Sequence, residues 1–300
     1  MTSSTISSTT RATFKDFYRL AKPGIIYGNI ITTIAAFLFA SRWHFAGLAS
    51  LWLFIATVVG LSFVIGSACV FNNYIDRDID RKMSRTRERA LVTGIISVRS
   101  ALIYGTILGL IGFALLGLFV NILTDLIALV GFVFYVVIYG LAKRGSEWGA
   151  VVGSIPGAVP ILVGYTALTN HLDITALILF LVLVFWQMPH FYAIAMYRLD
   201  EYKAAGIPVL PAEKGMRTTK IHILFYIIAF ILATSALWVF GFAGYVYLAV
   251  VLVLGLIWLA RSVQGFTARD DTKWAKKLFL FSLIVLLGFC VAIAVAPLVP

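Results

Sequence analysis

Three polar residues spaced by four, Asn72, Asp76 and Asp80, close a long apolar run in the segment Phe71-Asn72-Asn73-Tyr74-Ile75-Asp76-Arg77-Asp78-Ile79-Asp80-Arg81-Lys82. On a helix, residues four apart share a face, so these three stack while Asp78 points away. Two carboxylates at that spacing repel by about 0.2–0.5 kcal/mol even in water. Beside lipid the penalty grows, because ionisable groups there are costly unless paired or metal-bound. A divalent cation removes the conflict. Mg²⁺ takes oxygen ligands, typically one or two carboxylates with waters and substrate phosphate oxygens. The ladder therefore suits Mg²⁺ held against a diphosphate. The competing reading pairs Asp76 and Asp80 with Arg77, Arg81 and Lys82 on a solvated helix end.

Basic residues follow at once: Arg85-Thr86-Arg87-Glu88-Arg89, then Gly94. Cationic side chains beside a metal–diphosphate site would neutralise a leaving group as its bond to carbon breaks. Arg suits bidentate phosphate contacts, and Lys acts as a point charge. The same residues also satisfy the general excess of Lys and Arg on the cytoplasmic side of membrane proteins.

Such residues need elements to hold them, and composition says which. Of the 300 residues 61% are hydrophobic and 12% charged, against roughly 45–50% and about 25% in a soluble domain. The solvent of this chain is largely lipid. A bilayer core needs about 20 apolar helical residues. That ruler predicts nine spans, at 24–41, 48–71, 98–119, 123–142, 149–168, 174–197, 221–240, 243–260 and 278–297. Merging neighbours would make helices too long for a bilayer. The fold expected is an all-α polytopic bundle of nine transmembrane helices. Residues 1–13 read as a disordered Ser/Thr-rich tail without a secretory signal, and 14–300 as one membrane domain.

The net charge of +11 does not point to nucleic acid, because the basic residues sit between apolar runs rather than on a polar domain. All of the 24 Lys and Arg residues except Arg42 fall before the first span or after the second, fourth, sixth and eighth. Such bias places the N-terminus in the cytoplasm and the C-terminus at Pro300 in the periplasm. The long connections after the second and sixth spans hold most of the acidic residues, so the active face should be the cytoplasmic one. Cys69 and Cys290 lie inside apolar runs without metal-ligand neighbours and read as packing residues.

The pattern Asn72-x3-Asp76-x3-Asp80 with Arg85-Thr86-x2-Arg89 and Gly94 resembles the first aspartate-rich motif of the UbiA superfamily of intramembrane prenyltransferases. Tyr139-x3-Lys143-Arg144 is similar to that superfamily's Tyr-x3-Lys motif. Within it, the stretch Asn72–Met83, Lys22-Pro23-Gly24, the block Trp186–Ala195 and Gly206–Pro211 resemble the branch that farnesylates haem. The resemblance runs from about Lys22 to the end of the ninth span. It implies Mg²⁺ as cofactor and farnesyl diphosphate and haem B as substrates. Asn72, Asp76 and Asp80 would hold the metal, with Arg77, Arg85, Arg89, Tyr139 and Lys143 on the diphosphate. Asp76, Asp80, Asp200 and His190 would be the catalytic groups. A haem A synthase or terminal oxidase assembly would be the downstream partner. One departure stands out: the superfamily's second motif commonly carries two aspartates four apart, and here Asp200 is preceded at that spacing by Met196.

The implied chemistry ionises an allylic diphosphate, lets a haem vinyl group attack farnesyl C1, and captures the resulting cation with water. Aromatic faces stabilise such a cation by about 0.5–2 kcal/mol each, and Tyr74, Tyr139, Trp186, Phe191 and Tyr192 are the candidates. His190 can ligate haem iron, orient water, or cap the kink at Pro189. His44, His171 and His222 read as structural, and Pro156 and Pro160 as kinks that widen a cavity. Two other readings compete: a sister prenyltransferase with a quinone-precursor acceptor, and a transporter. A transporter would carry its charged site near the bilayer midplane, where this sequence has almost no ionisable residue.

Overall fold

The structure, a computed structural model, describes residues 12–44 and 47–300; positions 1–11 of the expected tail lie outside the described residues. Thr13 already has a structural role. Its backbone N–H and hydroxyl donate to the Asp16 carboxylate at 2.8 and 2.6 Å and start the helix Phe14–Leu20.

Among the described residues nine helices are long and apolar enough to cross a membrane: Pro23–Ser41, Gly47–Ile75, Val98–Phe119, Ile122–Gly145, Gly149–Thr169, Ile174–Tyr197, Gly215–Val239, Tyr245–Thr267 and Asp271–Leu298. No strand occurs among these residues. The expected centres agree throughout, but the seventh and ninth helices start six and seven residues earlier than expected. Their first two turns carry Arg217, Lys220, Lys273, Lys276 and Lys277. Hydropathy stops where lipid stops, whereas a helix continues for as long as its backbone bonds close.

The first, fifth, sixth and ninth spans pack on one another at the centre, with the second to fourth on one flank and the seventh and eighth on the other. The fifth, sixth and ninth are the most buried. Outward positions such as Ile107, Leu110, Leu118, Leu126, Leu232 and Leu256 are exposed and apolar, as lipid contact requires.

In lipid, helices associate through close van der Waals fit rather than hydrophobic burial, and small residues permit it. On the third span Gly105, Gly109 and Gly112 face the second. A Cβ on Gly112 would sit 2.8 Å from the Gly60 carbonyl oxygen and the Val64 nitrogen, both backbone atoms that cannot swing aside. The Ser67 hydroxyl uses the same closeness to donate to the Gly105 carbonyl at 2.7 Å. Gly112→Leu is therefore expected to destabilise the protein by about 1–3 kcal/mol through overpacking. Thermal denaturation in detergent checks this, and an unchanged midpoint would contradict the close fit.

Candidate active site

The ladder folds as its spacing predicts. The second span ends at Ile75, yet Asp76 donates its N–H to the Asn72 carbonyl (2.9 Å) and Asp80 to that of Asp76 (2.8 Å). The helical turn thus carries through the junction. Asn72, Asp76 and Asp80 are buried on one side, and Asp78 is exposed on the other. Each buried group meets a basic one from elsewhere in the chain. Lys22 Nζ donates to Asn72 Oδ1 at 2.9 Å, Lys143 Nζ to the Asp76 carboxylate, and Arg89 Nη1 to Asp80 Oδ2 at 2.5 Å and Asn73 Oδ1 at 2.9 Å. Thr86 closes the connecting loop by donating to the Asp80 carbonyl at 2.9 Å.

Two buried polar atoms here have no hydrogen-bond partner, Asp76 Oδ1 and Asn72 Nδ2. The Asn72 orientation follows from Lys22, which donates only and so claims the amide oxygen. Both atoms belong to residues lining a cavity of about 630 Å³, a size usual for small-molecule sites. Its polar mouth is formed by Lys22, Asn72, Asp76, Asp80, Arg85, Arg89, Tyr139, Lys143 and Tyr202. Beyond lies an apolar wall including Leu61, Val64, Ala128, Phe132, Pro156 and Pro160. A third side carries Trp186, Gln187, His190, Phe191, Leu283 and Leu286.

Backbone details make the room. A π-helical stretch, Phe134–Ile138, interrupts the fourth span just before Tyr139, and π-bulges rotate the residues that follow onto a different face. Lys143 then lies 5.0 Å from the Tyr139 ring centroid. On the fifth span a Cβ at Gly153 would collide with the Tyr139 ring, and one at Gly157 with the Gln187 amide. Pro156 and Pro160 line the cavity, and the Pro160 carbonyl accepts from the Thr33 hydroxyl at 3.0 Å. His190 stacks on Trp186 (centroids 4.8 Å, 28° between planes) and places Nδ1 2.8 Å from Ser282 Oγ.

Charges at the mouth are strongly coupled to burial. Burial pushes the Lys22 ammonium down to about 8, partly opposed by the attraction of Asp76 and Asp80. Lys22 also holds φ +54° directly before Pro23, a conformation costing of order 1–3 kcal/mol that persists only where surroundings impose it. Asp78, clamped by both Arg144 terminal nitrogens at 2.8 and 2.9 Å, is held at about 2. Arg144 also donates to the Ile75 carbonyl at 2.5 Å. It thereby ties the fourth span to the end of the second.

The structure brings together most of the residues the sequence singled out. Asn72, Asp76, Asp80, Arg85, Arg89, Tyr139, Lys143 and His190 line one cavity, as do Trp186, Phe191 and Tyr192. Arg77, Asp200 and Tyr74 do not line it. Arg77 follows Asp76 by one position, about 100° around the helix. Asp200 is exposed on the short helix Leu199–Ala205, which turns Tyr202 into the cavity instead. Its neighbour Glu201 pairs with Arg198 at 3.0 Å and lies 3.9 Å from Arg85. Lys22, Gln187 and Tyr202 escaped the sequence reading as site residues. Lys22 had a signal, its place in Lys22-Pro23-Gly24. Tyr202 had none.

The connections after the second, fourth, sixth and eighth spans meet at this one end. Arg85 approaches Glu201, Arg144 grips Asp78, Lys214 lies 3.9 Å from Glu147, and Lys220 donates to the Gly265 carbonyl at 2.7 Å and to Asp271 at 2.5 Å. Among the described residues no three His, Cys, Asp or Glu side chains converge as a ready-made cation cage. A hard cation at Asp76 would need oxygens from a bound ligand, as Mg²⁺ sites commonly do.

Comparison with known proteins gives the arrangement relatives. Residues 29–284 match the UbiA prenyltransferase family. The chain is 48% identical over 288 residues to a protein of Sodalis glossinidius (strain morsitans) named protoheme IX farnesyltransferase, covering 95% of this chain and 96% of that one. Among solved structures it resembles a digeranylgeranylglyceryl phosphate synthase (TM-score 0.77, 21% identity, 94% and 98% of the two chains). It also resembles a UbiA homolog from Archaeoglobus fulgidus bound to DMAPP and Mg²⁺ (TM-score 0.67, 17% identity, 93% and 99%). At these identities the structural likeness concerns the fold.

Proposed function

Because this chain belongs to the UbiA prenyltransferase family, we propose that it transfers the farnesyl group of farnesyl diphosphate to a vinyl group of haem B. It is a multi-pass integral membrane enzyme. In the reaction the C1–O bond of farnesyl diphosphate breaks and pyrophosphate leaves with the bonding pair. The vinyl π pair forms the new bond to farnesyl C1. Water adds to the cation left beside the porphyrin and loses a proton, giving a hydroxyethylfarnesyl side chain. The acceptor is argued from the near-full-length identity to a protoheme IX farnesyltransferase. The observation that carries the chemistry is Asp76: a buried carboxylate with one oxygen that accepts no hydrogen bond and lies 3.9 Å from Arg144, at the polar mouth of a largely apolar cavity.

Mg²⁺ fits this mouth. Asp76 Oδ1 is a hard donor without a hydrogen bond, and Asp80 lies one turn away on the same face. These two carboxylates would hold the ion, with the Asn72 side chain beside them. When bound, Mg²⁺ supplies positive charge to the diphosphate as it departs. The remaining work belongs to the chain. The free Asn72 Nδ2–H donates to an anionic oxygen rather than remaining an orphan. Lys143 and Arg89 hold the carboxylates in place, Lys22 holds the Asn72 amide, and all three present positive charge to the diphosphate. Arg85, exposed at the rim, meets its outer oxygens. Tyr139, Trp186 and Phe191 face the developing cation. The apolar walls receive the farnesyl tail and keep bulk water from the cation.

The positive-inside bias supports a mouth at the cytoplasmic face of a bacterial inner membrane, with the C-terminus in the periplasm. A haem A synthase or terminal oxidase assembly is the class of partner that would take the product. Membrane lipid would surround the bundle, and basic residues set between apolar spans do not call for nucleic acid.

Incubation of purified protein with haem B, farnesyl diphosphate and Mg²⁺ is expected to yield haem heavier by one hydroxyethylfarnesyl substitution. Mass spectrometry reads this directly. Unchanged haem together with prenylation of a phenolic acceptor would reassign the enzyme to a quinone-precursor substrate.

A further inference from the structure

The hydrogen bonds around His190 settle which of its nitrogens carries the proton. Ser282 Oγ lies 2.6 Å from the Phe279 carbonyl oxygen and 2.8 Å from His190 Nδ1. A carbonyl can only accept, so the single hydroxyl hydrogen of Ser282 goes to Phe279. The serine oxygen must then accept from Nδ1–H. A neutral imidazole has one N–H, which leaves Nε2 with a bare lone pair. Among the described residues Nε2 has no hydrogen-bond or ion-pair partner, and the ring lines the cavity. The ring is also fixed in place. Trp186 stacks on it, the Phe279 ring lies 4.8 Å away, and Trp186 Nε1 donates to the Ser282 carbonyl at 2.8 Å.

An imidazole whose Nδ1–H is pinned to an oxygen while Nε2 stays open has the arrangement of a metal-ligating histidine. One histidine alone holds a free cation poorly, and among the described residues no group of three His, Cys, Asp or Glu converges here. It can hold a metal that brings its other ligands with it, as iron does in a porphyrin. Resting on the reading that haem is the acceptor, we infer that His190 Nε2 is the axial ligand to the haem iron. This sets the macrocycle against the Trp186–His190 wall, with its edge toward the cavity that leads to Asp76. Ser282 is then a positioning residue, which orients the ring and raises the ligand strength of Nε2.

The test uses the full-length protein in detergent with ferric haem B alone. Wild type is expected to show the Soret and electron paramagnetic resonance signature of imidazole-ligated iron. It should also bind haem at least about tenfold more tightly than metal-free protoporphyrin IX, which has no iron to ligate, since losing even an outer-shell partner of a metal ligand typically costs about 10–100-fold in metal affinity. His190→Ala should lose the signature and the preference, and added imidazole should restore the signature. Ser282→Ala should keep ligation with a shifted spectrum. Equal binding of haem and metal-free porphyrin by wild type overturns the inference without relying on any variant. So does His190→Ala with an unchanged spectrum; were that variant also to lose turnover, the ring would be acting on water instead. If wild type farnesylates haem while either result is obtained, only the axial ligand falls. If wild type neither binds nor modifies haem, the haem reading falls, and the ligand with it.

Discussion

Asp76→Asn is expected to lower product formation by about 10²–10³-fold, the loss typical when one preorganised charge-stabilising group is removed from an active site, while the protein still inserts and folds. The substitution is nearly isosteric. An amide oxygen can still accept from Lys143, so the contact between the fourth span and the ladder survives. What disappears is the negative charge on the carboxylate whose Oδ1 is buried without a hydrogen bond at the cavity mouth. A hard cation there loses its main protein donor, and the apparent Mg²⁺ requirement should rise. Turnover in purified membranes, followed by mass spectrometry over a Mg²⁺ series, checks both effects. Normal turnover would remove the ladder from the chemistry.

Arg89→Met tests a different property, the cost of leaving Asp80 buried alone. Arg89 holds Asp80 at 2.5 Å and Asn73 at 2.9 Å, and the Asp80 side chain is only 7% exposed. Removing one partner of a buried ion pair typically costs 3–5 kcal/mol. Arg89 is itself 27% exposed, so we expect about 3 kcal/mol, the low end of that range. Activity should fall as well, since a cation facing the diphosphate is gone. The double variant Arg89→Met/Asp80→Asn separates the two effects, because it removes the stranded charge without restoring the site. Thermal denaturation should show most of the stability recovered in the double variant, with turnover still low. Full recovery of turnover would mean that Arg89 and Asp80 only brace the loop.

Much of this was legible in the chain. The nine spans follow from runs of apolar residues long enough for a bilayer, and their order and centres needed no tertiary information. The ladder was legible because helical spacing is a local property: Asn72, Asp76 and Asp80 share a face wherever the helix lies. The same geometry sent Asp78 outward, where Arg144 meets it. Arg77 and Asp200 were less well served. Both carry suitable chemistry close to a motif, but neither lines the cavity. Motif neighbourhood says nothing of azimuth once a helix ends and a new one begins, as at Leu199.

By itself, then, the sequence determined what depends on short range: which segments prefer lipid, which faces carry charge, and that carboxylates and cations share one end of the bundle. Tertiary structure decided the pairings. It set Lys22 on Asn72, Lys143 on Asp76 and Arg89 on Asp80, and turned Tyr202 and His190 to the same cavity. The reason is physical. Propensity and hydropathy act over a few residues, whereas Lys22 reaches Asn72 across 50 positions and Lys143 reaches Asp76 across 67. Those distances close only when glycines such as Gly112, Gly153 and Gly157 let the helices approach and the π-helical stretch before Tyr139 sets its rotation.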